Sequence, residues 1–424
     1  MRNSPLMASS SSLFSMSIRH SLARWMCSAT SRAKLSFISC ESNSMTTPAE
    51  HIGCRAETPG SNYNLLPPKM EASEFHAAPA PLIRQPQKAP GRWLAFPPAG
   101  RYAGLIMSQN INRCEAISLA GVAALRLAAP DGASAIIVPA LGGMVHQVSL
   151  PAPDGRLHRL LRTAESGQLP ANPAYAGAFM LPFAGRVRGG RYPWSGRQHQ
   201  LPVDGTGNAL HGCLAGQPLA ELGRELAADQ ASLSLGWQLE PDRLPGYPFS
   251  LGWQADYRLD RQGFSITLTV TNRGPKAAPI SCGWHPYFRL DEPLDSWRLH
   301  YPASHYIPIA PDFFPSAGPT PVNGSGWDFR AAPTLGGRQL DGPLCAVDGQ
   351  PVRLSAPAAG YAIELRADRL FGFIQLYTPP LRDAIAIEPV SAPSGAFNGE
   401  APGLITLAPG ESRGGGISLR LSSA

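Results

Sequence analysis

The feature that most constrains the fold is the frequency of glycine and proline, which interrupt the chain at short intervals. The 424 residues include 43 glycines and 44 prolines, about a fifth of the chain. This composition leaves few stretches long enough for a helix and favours short strands joined by turns. Residues 264–271 alternate apolar and polar side chains without a break, which predicts an antiparallel strand with one buried face.

Similar short runs predict further strands at residues 232–239, 254–259, 361–366, 371–377, 384–387 and 417–421. Asp-Gly and Pro-Gly pairs and other turn-forming residues separate them. Only residues 220–228 suggest a helix, of one or two turns. Many strands with short connections, without alternation of strand and helix, predict an all-β fold in the form of a large antiparallel β-sandwich.

Charge and cysteine usage exclude several classes of partner. Residues 1–106 contain 11 basic and 5 acidic residues, whereas the rest of the chain has 25 of each. Because the larger part is neutral, we expect no nucleic acid partner. No apolar run approaches the roughly 18 residues of a membrane span, so we expect no membrane association. The seven cysteines stand singly at positions 27, 40, 54, 114, 213, 282 and 345, which indicates neither a zinc site nor a disulfide framework and favours the cytoplasm.

Residues 1–106 are predicted to be a disordered extension. Residues 1–40 are rich in serine, carry five basic residues and have no acid before Glu41, as is typical of organelle transit peptides. Residues 41–106 lack the apolar content that would offset the entropy cost of ordering. Two interpretations stay open. The segment is either a transit peptide, which makes the protein organellar, or an over-extended reading frame or dispensable tail before Met107.

Two segments carry groups suited to general acid/base chemistry on an uncharged substrate. The apolar run 384–387 ends at Glu388, where partial burial is expected to raise the pKa of the carboxyl towards neutrality. His285 precedes Pro286, which favours an extended backbone, and it lies among aromatic residues. The alternatives are a glutamate that caps a neighbouring turn and a core histidine that is satisfied by one backbone hydrogen bond.

Three further segments complete the pattern. Residues 208–212 place Asn208 and His211 in a short polar turn, residues 181–187 end in Gly-Arg186-Val, and residues 340–342 contain Asp341 before a glycine. Together with the segments around His285 and Glu388, they resemble the aldose 1-epimerase (galactose mutarotase) family over roughly residues 115–421. The resemblance implies the β-supersandwich of galactose mutarotase, a small sugar substrate, no cofactor and no metal. We expect a monomer or a homodimer.

In the family that the sequence resembles, a glutamate base and a histidine acid open and reclose a pyranose ring, which interconverts the α and β anomers. The resemblance assigns the base to Glu388 and the acid to His285. It assigns substrate binding to the remaining motif residues, which are His211, Arg186, Asp341 and Asn208. A structural role in the turn stays open for His211, and an ordinary Asp-Gly turn stays open for Asp341. Gly185 stands where the family has an asparagine.

Two other functions fit the same scaffold. The first is a hexose-6-phosphate 1-epimerase, which requires an additional cation in the cleft, for which Arg188 and Arg191 are the candidates. The second is a carbohydrate-binding or sensing protein without turnover. The balanced charge of the larger part favours a neutral aldose over its phosphate.

Overall fold

A computed structural model describes residues 111–163, 166–241 and 243–424. No α-helix occurs among these residues, which form strands, turns and short 3-10 segments. The part of the chain described here therefore contains no helix with the length and apolarity that a membrane crossing requires. The predicted disordered extension, residues 1–106, lies outside the described residues, and the proposed domain limits of 115 and 421 stay a prediction.

The strands follow one another at short intervals along the chain. The first ten are β1 (Arg113–Leu119), β2 (Val122–Ala128), β3 (Ser134–Val138), β4 (Met144–Pro151), β5 (Leu157–Arg159), β6 (Ala178–Met180), β7 (Arg186–Val187), β8 (Arg191–Trp194), β9 (Arg197–Gln200) and β10 (Ala209–Leu210). The next ten are β11 (Ala220–Leu226), β12 (Gln230–Leu239), β13 (Leu251–Asp260), β14 (Gly263–Asn272), β15 (Ala278–Ile280), β16 (Gly283–His285), β17 (Tyr287–Phe288), β18 (Arg298–His300), β19 (His305–Tyr306) and β20 (Thr320–Pro321). The last are β21 (Asp341–Cys345), β22 (Val352–Ser355), β23 (Tyr361–Ala367), β24 (Phe373–Tyr377), β25 (Ile385–Val390), β26 (Ile405–Leu407) and β27 (Ser412–Ser423).

Short 3-10 segments connect some of these strands. They are Pro139–Leu141, Ser166–Gln168, Arg188–Gly190, Leu214–Gly216, Leu294–Ser296 and Ala396–Asn398. The strands assemble into antiparallel sheets, of which two have eight strands. The first, called the β14 sheet here, has the order β11-β12-β13-β14-β27-β23-β22-β18. The second, called the β25 sheet, has the order β20-β19-β21-β24-β25-β16-β6, and β17 also pairs with β25. Strands β1–β5 form a third sheet, and three two-stranded sheets complete the described part.

Strand β14 confirms the strongest prediction from the sequence. Its apolar side chains Phe264, Ile266, Leu268 and Val270 are all buried, while the polar residues between them are more exposed. The strand pairs with β13 on one side and with β27 on the other over most of its length. Because successive side chains of a strand point to opposite faces, this alternation gives the β14 sheet one apolar face.

The apolar face of the β14 sheet packs against the β25 sheet. Phe179 of β6 contacts Trp253 of β13 with ring centroids 5.6 Å apart, so the two sheets meet in one continuous core. Both side chains are almost completely buried, and a large apolar side chain contributes about 1.5–3 kcal/mol when it is buried in this way. The all-β prediction is confirmed, as is the antiparallel sandwich.

The predicted helix at residues 220–228 is wrong. Residues Ala220–Leu226 form the edge strand β11, which pairs with β12 through a register shift between Glu221 and Gly223. All seven residues are exposed, so no buried apolar face imposes the periodicity that would identify a helix or a strand in the sequence. Pairing with the long strand β12 decides the conformation of this segment, because it outweighs a weak helix propensity.

Candidate active site

Glu388 and His285 meet on one face of the β25 sheet. On β16 and β17 the alternation of side chains turns Trp284 into the core, where its indole N–H donates to the Gly177 carbonyl, and turns His285 to the opposite face. On β25 the same alternation buries Ile387 in the main core and turns Glu388 to that opposite face. His285 Nε2 lies 3.5 Å from Glu388 Oε1. The two residues are thus neighbours in space although 103 positions separate them in the sequence.

The position of Glu388 within its strand differs from the sequence interpretation. The run 384–387 was expected to end at the carboxylate, but β25 continues through Pro389 to Val390. Glu388 therefore projects from the middle of a paired strand and is only 3% exposed, while His285 is 6% exposed. Among the described residues Glu388 accepts no hydrogen bond from a turn, so the structure does not support a capping role.

Neighbouring strands add polar groups to the same face. In the strand register Gln375 of β24 stands opposite Glu388, and Tyr377 of the same strand stands opposite Asp341 of β21. Residues opposite each other or two apart share a face of a sheet. Gln375 Nε2 donates to Asp341 Oδ1 at 2.9 Å. The sheet register therefore brings two carboxylates, an amide and a phenol to one side of the β25 sheet.

These side chains line a cavity of about 660 Å³, within the range of small-molecule sites. Side chains from strand β7 and from loops outside the β25 sheet also line it. They include Arg162, Tyr175, Arg186, His211, Phe313, Leu381 and Ser394. The structure therefore brings together five of the six predicted site residues, namely Glu388, His285, His211, Arg186 and Asp341.

Arg186 is held in place by neighbours on three sides. Its Nη1 lies 3.3 Å from Asp204 Oδ2 and donates to Thr206 Oγ1 at 3.3 Å. The guanidinium also lies over the Phe313 ring, 4.5 Å from the ring centroid. These contacts fix the guanidinium at the cavity wall, and its remaining N–H groups are available as hydrogen-bond donors to a ligand in the cavity.

His211 has a fixed tautomer. The Gly185 N–H donates to His211 Nδ1 at 3.2 Å, and a backbone N–H can only donate, so Nδ1 carries no hydrogen. Burial, with the nearby His285 and Arg186, lowers the pKa of His211 well below 6.5, so the ring is neutral and its hydrogen is on Nε2. Tyr175 packs edge-on against this ring at 4.7 Å between centroids. His211 is thereby prepared as a hydrogen-bond donor.

The pKa values of Glu388 and His285 shift in opposite directions. Burial, together with the negative charge of Asp341, raises the pKa of Glu388 well above 4.5. Burial lowers the pKa of His285 to about 4. The Asp341 carboxyl is open to the cavity, yet surrounding protein raises its pKa although Arg186 and Gln375 oppose the shift. Strongly shifted acids and bases in one cleft are typical of catalytic sites.

Asn208 is the predicted site residue that the structure does not bring to the cavity wall. Its side-chain oxygen accepts a hydrogen bond from the Gly189 N–H at 3.0 Å, and its amide lies 3.4 Å from Thr206 Oγ1. It therefore organises the turn that carries Asp204 and Thr206, the two partners of Arg186. A direct contact between Asn208 and substrate stays a prediction.

The two cations considered for phosphate binding, Arg188 and Arg191, do not line the cavity. Arg188 contacts Glu400 and Asp312 through its guanidinium, and Arg191 donates to Gln200. The sequence analysis instead missed Arg162, which lines the cavity and pairs with Asp383 at 3.1 Å. It lies outside every motif that the sequence analysis used. Backbone pairing places it there, through the bridge between Leu161 and Phe288 and through the Arg162 N–H, which donates to the Tyr287 carbonyl at 2.8 Å.

Other cavity residues were also missed. Gln375 and Tyr377 lie on a strand that was predicted, and their alternation marked them as sharing a face, but the register with β25 was unknown. Tyr175 has a left-handed backbone with φ of 53°, which no sequence pattern indicated. The described part of the chain contains no group of three or more His, Cys, Asp or Glu side chains placed to hold a metal ion.

The antiparallel sandwich thus carries a buried carboxyl and a buried imidazole in the wall of one cavity. The sequence model of the family described as Aldose 1-epimerase matches residues 124–420. This match covers well over half of the chain. The chain belongs to the aldose 1-epimerase family.

Individual relatives agree with this assignment. The uncharacterized protein YphB of Escherichia coli (strain K12) is 31% identical over 257 residues, which are 57% of this chain and 82% of YphB. Galactose mutarotase of Rattus norvegicus is 26% identical over 166 residues, which are 38% of this chain and 47% of the rat protein. The crystal structure of a galactose mutarotase-like protein from Clostridium acetobutylicum has a TM-score of 0.65, covering 74% of this chain and 99% of that one at 16% identity. This last likeness concerns the fold.

Proposed function

We propose that the protein is an aldose 1-epimerase that interconverts the α and β anomers of a neutral aldose. The observation that carries the proposal is the pair of Glu388 and His285, whose side-chain atoms lie 3.5 Å apart on the cavity wall. Interconversion needs one group that accepts a proton and another that donates one, and both must reach the same anomeric centre. A carboxyl and an imidazole at this separation meet that requirement without a cofactor.

The reaction balances with these two residues alone. The Glu388 carboxylate takes the proton of the anomeric hydroxyl while His285 gives a proton to the ring oxygen, so the bond between C1 and the ring oxygen breaks and C1 becomes a carbonyl. Rotation about the bond between C1 and C2 presents the other face of the aldehyde. The ring oxygen then attacks C1 and returns its proton to His285, while Glu388 gives its proton back to the former carbonyl oxygen.

The shifted pKa values relate to a particular stage of this cycle. A raised pKa of Glu388 and a lowered pKa of His285 favour a protonated glutamate and a neutral imidazole. This is the protonation state that follows ring opening. The charged pair needed to start the reaction contains the same number of protons, with one proton moved from Glu388 to His285. The site electrostatics therefore favour the enzyme form that accompanies the open-chain sugar.

Binding roles follow from the hydrogen-bonding capacity of the remaining groups. Arg186 has only donors, and neutral His211 donates from Nε2, so both suit the oxygen atoms of the sugar. Asp341 accepts, so it suits a sugar hydroxyl hydrogen, while Gln375 keeps its carboxylate in position. Tyr287, which stacks on His285 at 5.0 Å between centroids, adds an aromatic face of the kind that sugars contact.

A hexose-6-phosphate 1-epimerase is the second candidate, and the observation in its favour is Arg162. Together with Arg186 it gives the cavity two cations. Each of them is already paired with an aspartate, Asp383 and Asp204 respectively, and Glu388 and Asp341 add further acidic groups. This balance favours a neutral sugar, because a phosphate requires cations that are not already neutralised. A binding protein without turnover is disfavoured because both proton-transfer groups are present.

Proton NMR exchange spectroscopy on the full chain tests the proposal. Exchange between the anomeric signals of glucose, galactose, arabinose and xylose should be faster with the protein than without it. His285→Asn should lose on the order of 10²–10⁴-fold in rate. His300→Asn, which changes a histidine of β18 in the β14 sheet, should keep the full rate.

The same assay with glucose 6-phosphate separates the two candidates. We expect the neutral aldose to have the higher kcat/KM. A preference for the phosphate of more than about tenfold, equivalent to roughly 1.4 kcal/mol, would favour the second candidate. Failure of the protein to accelerate exchange for any of these sugars would contradict both.

A further inference from the structure

Ser394 lies in the cavity wall and is not explained by the acid/base pair. It follows β25 by four residues and lines the cavity beside Gly185 and Arg186. Its Oγ accepts a hydrogen bond from the Arg186 N–H at 3.1 Å, and the Gly395 N–H donates to the Arg186 carbonyl at 2.9 Å. The turn after the strand of Glu388 is thereby joined to the backbone of the residue that carries the cavity guanidinium.

Gly185 and Ser394 occupy the same small volume. A Cβ on Gly185 would lie 2.8 Å from Ser394 Oγ and 3.0 Å from its backbone nitrogen, which is closer than such atoms approach without displacement. Gly185 also has a left-handed backbone with φ of 66°, which favours glycine. The absence of a side chain at position 185 therefore leaves room for the Ser394 hydroxyl at the cavity wall.

The Ser394 hydroxyl has hydrogen-bonding capacity left over. A hydroxyl has one hydrogen to donate and two lone pairs, and the Arg186 N–H uses one lone pair. Within the described part of the chain, Ser394 donates no hydrogen bond to another residue. Because the side chain faces a cavity, its hydrogen is available to a ligand there. Arg186 and His211 also donate in this region, whereas Asp341, on β21, accepts.

We propose that Ser394 is a further substrate-binding residue, which donates its hydroxyl hydrogen to one hydroxyl oxygen of the sugar beside Arg186 and so contributes to sugar selectivity. This inference rests on the proposed function. A sugar hydroxyl that accepts from Ser394 and Arg186 has its own hydrogen free for another acceptor, so the position and orientation of that hydroxyl are recognised together. A sugar without a hydroxyl at that position cannot make this contact.

The test compares parent and deoxy sugars with wild type and Ser394→Ala. Mutarotation is measured by exchange NMR for glucose and for its 2-, 3-, 4- and 6-deoxy derivatives. For glucose, Ser394→Ala should lower kcat/KM by about 2- to 10-fold, as expected for one neutral hydrogen bond. For one of the deoxy sugars, wild type and variant should have the same kcat/KM, because the partner hydroxyl is already missing.

Two further variants keep the outcome interpretable. Ser412→Ala removes an exposed hydroxyl that contacts Thr271 on the β14 sheet, and it should leave every sugar unaffected. Ser394→Cys keeps a side chain of similar shape with a much weaker donor. It should show the pattern of losses expected for Ser394→Ala, and it provides the test if the alanine variant folds poorly.

An equal loss for glucose and for all four deoxy sugars would overturn the inference. It would mean that Ser394 acts only by holding the Arg186 backbone. Unchanged kinetics in Ser394→Ala with all sugars would overturn it as well. Absence of turnover by wild type with every sugar would instead contradict the proposed function, and the inference with it.

Discussion

Two buried glutamates, one in each large sheet, have opposite surroundings. Glu388 in the β25 sheet is 3% exposed and Glu364 in the β14 sheet is 6% exposed. Glu388 faces His285 and the negative charge of Asp341, and burial raises its pKa. For Glu364 burial also acts to raise the pKa, but hydrogen bonds from Arg420 and Ser422, together with the positive charges of Arg420 and Arg366, outweigh it, and the pKa is lowered.

The strand register explains the difference. Glu364 on β23 stands opposite Arg353 of β22 and Arg420 of β27, so guanidinium groups on both sides approach the carboxylate, with Arg420 Nη2 at 2.6 Å. Glu388 stands opposite the neutral Gln375 instead. Low exposure alone thus does not identify a proton-transfer group; the charge of the cross-strand neighbours decides whether a carboxylate is held ionised or kept ready to bind a proton.

The largest expected difference between the two glutamates is in turnover. Glu388→Gln should reduce the rate of anomer exchange by about 10²–10⁴-fold, because an amide cannot take the proton of the anomeric hydroxyl. Glu364→Gln, the matched control, should keep the wild-type rate because its side chain does not line the cavity. Polarimetry and exchange NMR measure both. A comparable loss in the control would show that turnover depends on the sandwich as a whole.

The second difference is in stability, where the Glu364 substitution is expected to have the larger effect. Glu364→Gln should lower the free energy of unfolding by about 1–2 kcal/mol, because it leaves three arginines close together without their shared carboxylate. Loss of one partner of a fully buried pair costs about 3–5 kcal/mol, but these arginine side chains are 37–52% exposed and water will solvate them. Glu388→Gln should leave stability unchanged or raise it. Urea unfolding followed by circular dichroism measures both, and a destabilised Glu388→Gln variant would contradict the comparison.

The sequence predicted the fold, the pair of Glu388 and His285 and three further residues of the cavity wall, but not the contacts that depend on strand register or on loop packing. Strict alternation in a strand such as β14 is a local pattern, so it could be recognised without a structure. The state of β11 depends on pairing with β12, and the neighbours of Glu388 and Glu364 depend on register between strands far apart in the chain. Ser394 reaches the cavity because Gly185 has no side chain, which is a relation between two loops that neither segment reveals alone.

The two glutamates should change the stability of the protein in opposite directions as pH rises. The pKa of Glu388 is raised above 4.5, so between 4.5 and its folded value the folded chain binds the extra proton and stability falls as pH rises. The pKa of Glu364 is lowered, so below 4.5 the unfolded chain binds the extra proton and stability falls as pH decreases. Glu388→Gln should flatten the curve above pH 4.5, and Glu364→Gln should flatten it below. Urea titrations across this range would contradict the assignment if both variants changed the same side.

The smallest expected effect concerns how the arginines share Glu364. Arg420 approaches the carboxylate with two nitrogens, at 2.7 and 2.6 Å, whereas Arg366 Nη2 is 3.6 Å away and Arg366 also donates to the exposed Gly349 carbonyl. A longer contact between partly exposed groups is worth little, so Arg366→Gln should cost only about 0.2–1 kcal/mol of unfolding free energy, and less than Arg420→Gln. Neither variant should change anomer exchange, because neither residue lines the cavity. If Arg366→Gln proved the more destabilising of the two, the short contacts of Arg420 would not be what holds Glu364 ionised, and the cluster would act through its summed charge.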